Sequence, residues 1–104
     1  MKVYIIRERL GIHATGEYNP ETNGLVALAG SILSQDIAHS EKFRGAKTIE
    51  KTRAGVMNGC VLLKDIPFKS ASTAGNFVTG RSTNGLIAWK NEDGVSIKDL
   101  ISRS

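Results

Sequence analysis

The side chains best suited to chemistry are thinly spread along this chain. His13 and His39 have no cysteine or second histidine at ligand spacing, so the sequence builds no zinc site. His13 falls on the polar face of an alternating stretch, where an exposed imidazole is the plain expectation. Cys60 is the only cysteine and opens an apolar run, so it reads as a small hydrophobe. A nucleophilic role would require a neighbouring base that the sequence does not display, which makes a hydrolase the remotest option. The ten Asp and Glu residues show no spacing that marks an acid/base pair. Neither GxxxxGK[ST] nor a strand-linked GxGxxG is present, so no nucleotide-fold chemistry is indicated. The expectation is a non-enzymatic binding or accessory module with no cofactor and no metal.

One segment carries residues suited to binding. Ser70 stands where its side chain caps a helix, and Ser72 and Thr73 lie in that helix's first turn, beside backbone N–H groups able to hold a phosphate. Arg81, Ser82, Thr83 and Asn84 follow as a polar, cationic turn flanked by Lys69 and Lys90. Trp89, the only tryptophan, could stack on a base or serve the core. Lys69, Ser70, Arg81, Ser82, Asn84 and Lys90, with Trp89 as support or stacking platform, are therefore the expected contacts to phosphate or base edges.

The charge distribution agrees with an anionic partner. The formal net charge of +4 is concentrated in the middle of the chain. Lys42, Arg44, Lys47, Lys51 and Arg53 outnumber Glu41 and Glu50, and Lys64, Lys69, Arg81 and Lys90 outnumber Asp65. Such a basic middle suits a polyanion such as DNA, and it equally suits a solvated surface. A single cysteine permits no intrachain disulfide, which fits a cytoplasmic setting. No apolar run is long enough for a bilayer span, so no membrane partner is expected.

The elements that must position these residues are those of a single 104-residue domain. Val3–Ile6 is a β-branched and aromatic run, and residues 12–18 alternate with period two, so both read as strands. Asn19-Pro20 through Asn23-Gly24 forms a turn, and residues 25–29 give a third strand in an antiparallel meander. Residues 34–47 read as an exposed connection. A helix is predicted from Thr48 to Met57, stopped by Asn58-Gly59, followed by a strand over residues 60–63. A Ser70-capped helix ends at Gly80, with Ala71, Ala74, Gly75 and Val78 giving it one nearly bare face suited to a close approach to a sheet. Residues 86–89 are predicted as a strand. Ser96 and Asp99 form a capping box for a short final helix. The predicted fold is α+β: a mainly antiparallel sheet of about five strands, two helices and a short C-terminal helix.

The residue order then adds a resemblance. Phe68-Lys69-Ser70-Ala71-Ser72-Thr73-Ala74-Gly75 resembles the F-x-S-P-S-A-A-A signature of an uncharacterised domain at the C-terminus of GIY-YIG nucleases and in restriction-modification proteins. The likeness continues through Val78, Gly80-Arg81-Ser82, Asn84-Gly85 and Trp89-Lys90, against V-x-G-R-S-x-N-G-x-x-x-W-K. Upstream, residues 24–31 are similar to that family's G-F-V-V-L-A-G-S strand, so the likeness covers about residues 12–100. The pattern is also similar to the domain that accompanies adenine methylases of restriction systems. Departures are Ala71 in place of the signature's proline and the order Thr73-Ala74-Gly75. The resemblance implies a DNA-associated accessory module, beside a methylase or nuclease subunit, with no catalytic residues of its own. The alternative is a protein-interaction or self-association module that uses an apolar patch or a strand edge.

Overall fold

A computed structural model describes residues 1–35, 37 and 46–102. Its main sheet holds β1 (Lys2–Arg7), β2 (Ile12–Tyr18), β3 (Leu25–Ala27) and β6 (Ile66–Phe68) in the order β1-β2-β3-β6, every pair antiparallel. A small hairpin of β4 (Met57–Asn58) and β5 (Val61–Leu62) is joined to it through Ile32, which bridges His13 on one side and Val61 on the other. The helices are α1 (Ala46–Arg53), α2 (Ala71–Thr79), α3 (Gly85–Ala88) and α4 (Ile97–Ser102). The fold is α+β with a mainly antiparallel sheet, as the sequence indicates. Among the described residues no helix is long and apolar enough to cross a membrane.

The period-two pattern of β2 decides which sheet face is inward. Ile12, Ala14, Gly16 and Tyr18 are buried, and they register with Val3 and Ile5 of β1 and with Leu25 and Ala27 of β3. α2 covers this face with Ala71, Ala74, Phe77 and Val78. Trp89 and Ile97 complete the core, each with no exposed surface. Removing these apolar side chains from water stabilises the fold by roughly 25 cal/mol per Å².

Local readings differ from the observed structure at several points. Residues 86–89 do not form a strand. The Asn84 side chain accepts from the Leu86 N–H at 3.2 Å and caps a helical turn, so only Trp89 and Lys90 leave it extended. Lys90 then pairs with Tyr4 of β1. β6 was not anticipated because Pro67 interrupts it. On the edge of a sheet a proline forfeits no ladder hydrogen bond, and β6 is an edge strand.

α1 begins two residues before Thr48 and ends at Arg53; Asn58 ends β4 and Gly59-Cys60 turns the β4–β5 hairpin, so Asn58-Gly59 stops no helix. Within the predicted exposed connection 34–47, Ser34 and Ala46 are buried; residues 36 and 38–45, with His39, Lys42 and Arg44, lie outside the described residues.

Arg53 explains part of this. Its guanidinium donates to the Phe77 carbonyl at 2.6 Å and to the Ser34 carbonyl at 2.9 Å, and lies 5.6 Å from the Phe77 ring centroid. Phe77 belongs to the last turn of α2, where a cation answers carbonyls left without helical partners. Burial lowers the Arg53 pKa from its ordinary value, and the proximity of Cys60 acts in the opposite direction. This half-buried arginine is an internal strut, its guanidinium held by the carbonyls of Ser34 and Phe77.

Candidate nucleic-acid interface

The N-terminus of α2, expected to be open to a phosphate, is filled by the protein itself. Ser70 Oγ accepts from the Thr73 N–H at 3.1 Å, and Ser72 Oγ accepts from the Gly85 N–H at 3.0 Å. Gly85 packs so closely that a β-carbon there would lie 2.1 Å from the Ala71 carbonyl carbon. The bare face of α2 is divided: Ala71, Ala74 and Val78 cover the sheet, as expected, and Gly75 faces Thr83 and Gly85 in a helix-to-helix approach.

Trp89 is sealed into the same junction. Its indole N–H donates to the Ala71 carbonyl at 3.0 Å, and its ring lies over Gly16 of β2. With no exposed surface it cannot stack on a base, so its role as a stacking platform is withdrawn and its role as support remains. The upstream part of the signature behaves alike. Buried Ser31 accepts from the Thr15 N–H and donates to the Leu28 carbonyl.

The turn after α2 has a different character. Gly80 adopts a left-handed conformation (φ 72°), and its N–H donates to the Asn76 carbonyl at 2.8 Å. Asn76 Oδ1 accepts from the Thr83 N–H at 2.8 Å, and the hydroxyls of Thr79 and Thr83 lie 2.6 Å apart. These bonds fix the backbone of residues 80–84 and leave the Arg81 and Ser82 side chains exposed.

The Tyr4–Lys90 pairing brings this turn to the free edge of β1. The two peptide groups exchange hydrogen bonds of 2.7 and 3.0 Å, tying residues far apart in sequence. Between them opens a cleft of about 880 Å³. Arg81, Ser82, Asn84 and Lys90 line it, together with Arg7, Tyr4 and His13. Its floor is apolar, with Ile6, Leu10 and Ile87 each about half exposed. Three cations face it against the single carboxylate of Glu92. Arg7, Arg81 and Lys90 form no ion pair among the described residues and remain available.

Four of the seven residues singled out in the sequence therefore converge here. Lys69 and Ser70 lie outside the cleft, and Trp89 lies beneath it in the core. Arg7, Tyr4 and Ile6 were missed; the signal for them is strand pairing across the chain, which spacing alone does not carry.

A family model described as a domain of unknown function (DUF4357) matches residues 4–101. The chain belongs to the DUF4357 family. That match runs from β1 through α4 and so includes both sides of the cleft. No curated protein matches the chain. No solved structure matches it either. The DUF4357 chain brings together no group of three or more metal-binding side chains among its described residues.

Proposed function

We propose that this DUF4357 chain is a non-catalytic nucleic-acid-binding accessory module of a restriction-modification or DNA-processing system, acting in the cytoplasm beside a separate methylase or nuclease subunit. The observation that carries the reading is the cleft in which Arg7, Arg81 and Lys90 stand unpaired around a fixed polar turn. Guanidinium and ammonium groups held this way suit phosphate, and Ser82 and Asn84 supply neutral donors beside them. The link to restriction-modification rests on the resemblance of the Phe68–Lys90 signature.

The test is a titration of the protein with single-stranded, duplex and methylated duplex DNA at 50 and 200 mM salt. Neutralising about three phosphates predicts that affinity falls on the order of 20- to 40-fold between the two salts. Salt-independent binding, or none at tens of micromolar, would refute the reading.

A second reading, self-association, is favoured by one observation. Ile6, His13, Ile32 and Val61 face one another in successive strand pairs, so their side chains share the outer sheet face. The three apolar members are 39–54% exposed, and Leu63, two residues beyond Val61, is 56% exposed. Salt-insensitive dimerisation in sedimentation runs, lost in Val61→Asp and kept in Arg81→Ala, would favour this reading over the first.

A further inference from the structure

We infer that the cleft takes one unpaired nucleobase, read on its Watson–Crick edge by the backbone of Ile6, with its phosphate on the cationic rim; this rests on the nucleic-acid reading above. Strand parity sets the direction in which the Ile6 backbone points. His13 directs both its N–H and its carbonyl to Ile32, at 2.9 Å each, so it has neither to exchange with its β1 neighbour Ile6. The backbone groups of Ile6 accordingly point to the free edge of β1, the same side on which Tyr4 pairs with Lys90. No hydrogen bond to the Ile6 N–H or carbonyl is found among the described residues. Ile6 lines the cleft, so one donor and one acceptor from a single residue face the ligand space.

Beyond the Lys90 pairing, toward the end of β1, the edge is open at Ile6 alone. The chain position that would continue the Lys90 pairing and oppose Ile6 is Ala88, the last residue of α3, and past Arg7 the chain enters a 3-10 turn at Glu8–Leu10. An added peptide strand needs several successive edge residues to build a ladder, and this edge does not provide them. A nucleobase needs only one adjacent donor and acceptor, which each base carries on its Watson–Crick edge. In a duplex that edge is already occupied, so the site selects unpaired strands.

The rest of the cleft matches the same ligand. Ile6 and Ile87 supply half-exposed apolar surface for the face of a base, and Leu10 lies beside them. Arg7, Arg81 and Lys90 stand around that floor, where the phosphate of a seated nucleotide would meet them. A site that held only the backbone of a duplex would have no use for an apolar floor.

The experiment is fluorescence anisotropy with a labelled single-stranded oligonucleotide, its duplex, and an acidic peptide as competitor, on the wild-type chain and on Ile87→Asp and Leu10→Asp. Both substituted residues are about half exposed, and thermal melting verifies that each variant is folded. The expected result is single-strand binding at least tenfold tighter than duplex binding, with that preference lost in a folded Ile87→Asp or Leu10→Asp variant. Equal or tighter binding of the duplex, with salt sensitivity retained, would overturn the base site and leave the cationic interface standing. Absence of salt-sensitive binding to either form would overturn both. Displacement by the acidic peptide at lower concentration than by unlabelled oligonucleotide would overturn the base site in favour of a protein partner.

Discussion

Two parts of one sequence signature have opposite physical characters. Around Trp89 the polar groups are satisfied within the fold: Ser70 caps α2, Ser72 holds Gly85, and the buried indole donates its N–H to the Ala71 carbonyl. A few residues away, Arg81, Ser82 and Lys90 are exposed, and the backbone below Arg81 and Ser82 is fixed by Thr79, Thr83 and Asn76. Residues that recur together in a signature therefore need not share a role. The serine, glycine and tryptophan positions build a junction, and the basic positions stand on what it builds.

The contrast is broken most severely at Gly85. A β-carbon there meets the Ala71 and Ser72 backbone at 2.1–2.4 Å, and backbone cannot step aside as a flexible side chain can. Gly85→Ala is expected to cost about 3–5 kcal/mol, in the range of the severest single substitutions. Thermal melting should register a fall of roughly 15–30 °C. If the melting temperature is unchanged, the junction is not packed as described.

A smaller effect sharpens the contrast by separating structural from surface charge. Arg53→Ala removes the donors to the Phe77 and Ser34 carbonyls and is expected to destabilise by about 2 kcal/mol. Chemical denaturation would measure it. Oligonucleotide affinity of the folded variant should stay within about twofold of wild type, because Arg53 does not line the cleft.

The sequence made much of the junction legible because its parts are local. Ser70 and Gly80 bracket α2 where capping chemistry places them, and the Ser96–Asp99 box opens α4 with its bond intact. The alternation of β2 likewise tells which face is buried. What could not be read depends on distant partners. Residues 86–89 have strand-like composition, yet Asn84 caps them into a helical turn because Gly85 can press against α2. Arg53 resembles any surface cation until α2 presents its terminal carbonyls. The cleft exists only because Tyr4 pairs with Lys90, which brings Tyr4, Ile5, Ile6, Arg7 and Leu10 opposite the turn after α2.

The central claim is that basic residues in the cleft, and not basic charge in general, bind the ligand. Lys69 is exposed and belongs to the same signature but lies outside the cleft, so it serves as the internal control. The deciding measurement is the salt dependence of single-strand binding for wild type, Lys69→Ala and the double variant Arg81→Ala/Lys90→Ala. The account predicts that the double variant melts normally and loses about 1.4 from the slope of log affinity against log salt, and that Lys69→Ala leaves the slope unchanged. Equal losses per charge removed in both variants would contradict it, because the interface would then be diffuse charge and not this cleft.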